Sequence, residues 1–116
     1  MLIRYKKSME KIAMGLLSFM PEEKDVKKLQ HTMKAYEENE NWHLYLWREN
    51  DDVLGAIGVE INQIDATVTV QHISVNPSHR ELGIGHKMIN EIREIYEENY
   101  QIIANDLTES FLNKCE

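Results

Sequence analysis

The chain has 116 residues, of which 42% are apolar, and it carries one cysteine, Cys115, and a formal net charge of -7. That length suits one domain, predicted over 1–116, able to bury a core without disulfide or metal staples, and a lone cysteine closes no internal disulfide. The acidic balance argues against nucleic acid or an anionic membrane as partner, because both attract basic surfaces.

Leu2-Ile3-Arg4-Tyr5 reads as a short strand. Apolar residues then recur at Met9, Ile12, Ala13, Leu16, Leu17 and Met20, the spacing of a helix with one buried face. Pro21 ends that helix and suits the first turn of another, in which Glu22, Glu23 and Asp25 complement the dipole and Val26, Leu29, Met33 and Tyr36 form the inner stripe. Residues 42–47, rich in aromatics, and residues 53–60 flank a polar stretch and predict a hairpin, which residues 66–75 extend as a third antiparallel strand. Gly55 and Gly58 would weaken their strand unless another group approaches its backbone or a bulge lies there.

Residues 75–85, VNPSHRELGIG, follow that strand and open a helix that buries Met88, Ile89, Ile92, Ile95 and Tyr96. The first amides of a helix have no intrahelical acceptor, the dipole places positive charge there, and glycines let a bulky anion approach, so this turn suits a phosphate. His86 and Lys87 near the helix start, with Glu94, Glu97 and Glu98 near its end, oppose the dipole, and a bound anion would turn the basic half of that cost into attraction. A Walker A loop would need Gly-Lys-Ser/Thr, and a dinucleotide fingerprint would need a third small residue where Met88 stands. Residues 102–104 then read as a strand, and a last helix begins near Thr108 with Asp106 as its cap.

No leader pattern or long apolar run stands at either end, which predicts a cytoplasmic protein. No pair of His, Asp or Glu has a recognised metal spacing, so no metal is predicted, and Cys115, without a local base motif, reads as a bystander.

The pattern Arg80-x-x-Gly83-x-Gly85, after a strand ending Val75-x-Pro77, resembles motif A of the GNAT-type N-acetyltransferases. The resemblance implies an α/β fold: a GNAT-like mixed sheet with order β-α-α-β-β-β-α-β-α, lacking the usual last two strands. It also implies acetyl-coenzyme A as co-substrate. The strand ending at Val75 would splay from the strand 102–104, letting Ile73 and Val75 bind the pantetheine arm through their backbone. The amides of Arg80, Glu81, Leu82, Gly83, Ile84, Gly85 and His86 would hold the pyrophosphate. Asn105 matches a family asparagine assigned to coenzyme contact, and as a residue type it serves equally as a turn former.

The activity implied is direct acetyl transfer to an amine of a small molecule or protein, with the tetrahedral oxyanion held by an amide near Val75. Glu60 and His72 are the two candidate bases, and each has a structural alternative. Leu112 stands where the family often has the tyrosine that protonates the departing thiolate. That departure keeps a second reading open, a coenzyme A or acetyl-coenzyme A sensor with a degenerate acceptor site. The chain is also similar to the small RibT-type proteins encoded with bacterial riboflavin-synthesis genes, at residues 2–7, 56–60 and 72–77. That similarity, with Trp42 and Trp47, leaves flavin binding as a third reading. Without the last strands, 102–104 would be a sheet edge, and a homodimer is expected to mask it or the apolar residues Leu107, Phe111 and Leu112.

Overall fold

The computed structural model describes residues 1–114 and, of Glu81 and Lys114, the backbone alone. Cys115 therefore lies outside the described residues. Five strands form one sheet in the order β1-β2-β3-β4-β5. They are β1 (Leu2–Arg4), β2 (Trp42–Glu49), β3 (Asp52–Asn62), β4 (Thr67–Val75) and β5 (Gln101–Ala104). The first four run antiparallel to their neighbours and β5 runs parallel to β4. The helices are α1 (Glu10–Leu17), α2 (Val26–Glu38), α3 (Ile84–Tyr96) and α4 (Glu109–Lys114). This is the predicted element order and mixed α/β class, and among the described residues no helix is long and apolar enough to cross a membrane.

Strand alternation sorts the core into two layers. Leu44, Leu46 and Ala56 face α1 and α2, where Ala13, Leu16, Leu17, Leu29 and Met33 pack against them. Tyr45, Ile57 and Val59 face the opposite way, onto Ile84, Met88, Ile89 and Ile92 of α3 and Leu112 of α4. A bulge interrupts the β3–β4 register, since Gly58 pairs with His72 while Val59 pairs with Val70. The extra residue, Gln71, reverses the alternation, so Val70 and Ile73 both serve the α3 layer and His72 turns toward α2.

Several helical expectations change in detail. Pro21–Glu23 forms a separate 3-10 turn, and α2 begins only at Val26, where the Asp25 side chain accepts the Lys27 amide at 2.9 Å. Glu23 does not complement the α2 dipole from the surface but is buried, whereas Val26, expected on the inner stripe, is exposed. Ile12 and Ile95 are exposed as well. Asn105, not Asp106, organises the entry to α4, its Oδ1 accepting the amides of Leu107 at 2.9 Å and Thr108 at 3.1 Å.

Candidate functional site

β5 pairs with only the first half of β4. Its last partner pair is Ala104 with Val70, so among the described residues no strand neighbours the β4 margin from Gln71 to Val75. The Asn76 amide donates to Leu54 O at 2.8 Å across the β3 side. Backbone polarity alternates along a strand, so Ser74 also faces β3, and the amides and carbonyls of Ile73 and Val75 point into the opening. At the apex, the Thr108 hydroxyl donates to Val70 O at 2.6 Å and the Asn105 side-chain amide donates to Gln71 O at 3.4 Å. These bonds tie the loop after β5 to β4 where the two strands part.

Beyond Val75 the chain turns over Asn76, whose side chain accepts the Ser78 amide at 3.0 Å, into a 3-10 segment from Pro77 to Leu82. Gly83 then adopts φ +74°, a left-handed conformation that costs a glycine little, and α3 starts at Ile84. The first intrahelical bond runs from the Lys87 amide to Gly83 O at 3.1 Å. The amides of Ile84, Gly85 and His86 precede it, and the N-cap Gly83 offers them no side-chain acceptor. The helix terminus thus presents a narrower set of amides than the 80–86 span expected, because Arg80, Glu81 and Leu82 belong to the 3-10 segment. A β-carbon built on Gly83 meets nothing within 4 Å, so the space over the terminus is open.

The strand opening and this turn share one cleft of about 510 Å³. Ile73, Ser74 and Val75 form its back, and Arg80, Gly83, Gly85 and His86 form the α3 side. Leu107, Ser110 and Phe111 line it from α4 and the loop before it, and Phe19, Met20, Pro21 and Glu22 form the wall between α1 and α2. The α4 and α1–α2 walls were not read from the sequence. Leu112 takes no part, because its side chain is buried in the α3 layer, which also removes it from the surface proposed for dimer contact. Ile84 is buried too, Leu82 is exposed outside the cleft, and the Asn105 side chain is engaged at the apex rather than in the lining.

Neither candidate base lines the cleft. Glu60 lies on the α2 side of β3, where its Oε2 accepts the Trp42 indole N–H at 3.0 Å, in a separate depression with Asn39 and Asn41. His72 is buried, with Nδ1 2.6 Å from the Tyr36 hydroxyl and Nε2 3.1 Å from Glu23 Oε1. Both ring nitrogens are therefore occupied. Burial holds the imidazole pKa below its ordinary value, with Glu23 pulling the other way, and burial pushes the Tyr36 phenol up. Glu23 also accepts the Thr32 hydroxyl at 3.1 Å and 3.2 Å. Gly58 makes the network possible, since a β-carbon there would stand 2.0 Å from the Tyr36 hydroxyl oxygen.

Residues 10–113 match the model of the acetyltransferase (GNAT) family. An uncharacterized N-acetyltransferase in the lysA 3′ region of Bacillus methanolicus is 56% identical over 117 residues, covering all of this chain and 95% of the relative. A possible acetyltransferase from Clostridium difficile 630 superposes with a TM-score of 0.75 at 15% identity, covering 98% of this chain and 87% of the other. The aminoglycoside N-acetyltransferase AAC(6')-Iy in complex with CoA gives a TM-score of 0.76 at 12% identity, with 98% and 81% covered. These two structures establish likeness of fold, and the family match together with the close relative identifies the chain. It belongs to the GNAT family and is an N-acetyltransferase.

Proposed function

We propose that the protein transfers the acetyl group of acetyl-CoA to an amine of a small molecule or protein in the cleft between β4 and β5. The observation that carries this reading is the meeting of two unpaired backbone surfaces: the β4 margin at Ile73 and Val75, and the uncapped start of α3. Residues present there suit the co-substrate. An extended pantetheine arm fits as an added strand on Ile73 and Val75, and phosphates fit the amides of Gly83 to His86 with Arg80 beside them. When bound, acetyl-CoA supplies the thioester carbon.

The amine nitrogen forms a bond to that carbon, the carbon–sulfur bond breaks, and the proton lost by the amine balances the one gained by the thiol. The protein contributes orientation along β4 and an amide at Val75 facing the developing oxyanion. Glu60 and His72, the bases expected from the sequence, would need a path of waters or a shift of the α1–α2 wall to take that proton. The described lining residues include no tyrosine to supply a phenolic acid to the thiolate, and this favours a second reading in which the cleft senses CoA without turnover.

Free thiol release from acetyl-CoA over a panel of amines, including amine intermediates of riboflavin synthesis, separates the two. Saturable, acceptor-dependent release supports transfer, and tight coenzyme binding with no release across the panel supports the sensor. A link to riboflavin synthesis rests on the RibT-type resemblance at residues 2–7, 56–60 and 72–77, and amine intermediates of that route test it directly. We also propose that the free margin of β5, an edge of the sheet, pairs in a homodimer.

A further inference from the structure

Building on the transfer reading, we infer that the acceptor is a small amine of single positive charge with an apolar body, its ammonium paired with Glu22 and its body against Phe19 and Met20. The cleft is electrically polarised. Arg80, His86 and the start of α3 lie on the α3 side, where an anionic coenzyme fits, and Glu22 is the carboxylate among its lining residues. Phe19, Met20 and Pro21 precede Glu22 on the same wall, so an acceptor that reaches its carboxylate lies beside apolar side chains.

Glu22 has no hydrogen-bond or ion-pair partner among the described residues, while the next residue, Glu23, is held by both His72 and Thr32. That anchoring fixes the 3-10 turn Pro21–Glu23 against β4 and so holds Glu22 at the cleft. Glu23 and His72 are positioning residues on this account. An incoming ammonium gives the half-buried Glu22 the partner it lacks.

The apolar part of the acceptor follows from exposure. Phe19 is 41% exposed and Leu107 is 43% exposed, one on each wall of the cleft, and a ligand lying between them would cover both. Among the described lining residues there is no second carboxylate to meet a second positive charge, which would face Arg80 instead. Polycations are therefore disfavoured, in contrast to the aminoglycoside named for the structurally similar AAC(6')-Iy. The volume of about 510 Å³ also has to admit the coenzyme arm, which keeps the acceptor small.

The test is equilibrium binding to the full chain, free and saturated with coenzyme A, of 2-phenylethylamine, its neutral analogue 2-phenylethanol, and kanamycin. The wild type should bind 2-phenylethylamine at least tenfold more tightly than either other probe. Glu22→Gln should weaken 2-phenylethylamine at least tenfold, leave 2-phenylethanol and coenzyme A within twofold, and unfold at the wild-type temperature, while Glu22→Asp retains part of the preference. Phe19→Ser should weaken 2-phenylethylamine and 2-phenylethanol alike. Absence of 2-phenylethylamine binding, equal binding of the alcohol, tighter binding of kanamycin, or an unaffected Glu22→Gln variant would each overturn the assignment. Thiol release is read separately: amine binding without turnover would remove the transfer reading and leave the acceptor class standing.

Discussion

The ring of Phe111 lies so close over Gly85 that a β-carbon on the glycine would stand 2.0 Å from Cζ. Helix α4 is thereby seated on the first turn of α3, next to the amides that face the cleft. Gly85→Ala must displace the ring, and overpacking of this kind costs about 1–3 kcal/mol. Thermal unfolding should show that loss, and calorimetry should show weaker acetyl-CoA binding. Because the two residues touch, adding Phe111→Ala should return part of the stability, a non-additivity that independent sites would not give.

Gly83→Ala isolates backbone conformation from packing, since a β-carbon there meets no neighbour but φ is +74°. The stability loss should be about 1–2 kcal/mol, the cost of a left-handed conformation for an ordinary residue. Acetyl-CoA affinity should fall at least tenfold, because the new methyl group occupies space over the helix terminus. Unchanged affinity would place the phosphates elsewhere.

The buried Tyr36–His72–Glu23 network should behave as one unit. Tyr36→Phe removes the hydroxyl 2.6 Å from His72 Nδ1 and should destabilise by about 1–2 kcal/mol, whereas His72→Leu strands the Glu23 carboxylate and should cost about 3–5 kcal/mol. Chemical denaturation of the single and double variants measures the coupling.

Acid should weaken the fold through the same imidazole. The folded protein holds His72 below its ordinary pKa, so the unfolded chain binds the proton more readily, and stability rises with pH wherever the two states differ in protonation. The contribution is fully present above the unfolded value near 6.5 and is lost as pH falls from there through the lower folded value. His43, also lowered by burial, acts in the same direction, so the readout is the difference between wild type and His72→Gln in denaturant midpoint from pH 7.5 to 5. The wild type should lose more over that range.

Sedimentation at tens of micromolar should show a dimer if the open margin of β5 is paired between copies. Ile103→Lys should dissociate it, since a charged residue on an edge strand opposes pairing. A monomer in the wild type would remove the proposal.

Most of the architecture was legible because it rests on local signals: alternation in β2 to β4, a three-to-four repeat in the helices, and the turn residues Asn76, Pro77 and Gly83. What failed needed knowledge of neighbours. Ile84 and Ile95 project within about 20° of each other around α3 at 100° per residue. Ile84 is buried and Ile95 is half exposed, because a repeat fixes direction about the axis and not how far along it the covering elements reach. Glu23 looked like a dipole-complementing surface residue, and only the fold brings it to His72, 49 positions away. The phosphate turn could be found because its chemistry is contiguous in sequence. The Glu22 and Phe111 walls are assembled from distant segments, and their residue types carry no mark of the cleft.

The register break at Gln71 has a consequence for how this strand can vary. Draw Gln71 into the ladder opposite Gly58 and the strand beyond it rolls over like a ribbon: the imidazole and the Ser74 hydroxyl would swing into the greasy layer beneath α3, and Ile73 and Val75 would surface on the side of α1 and α2. The bulge is thus as much a determinant as side-chain identity: a lineage could drop Gln71 and close the ladder with each face kept, whereas ironing the bulge out at constant length would turn the back of the cleft inside out.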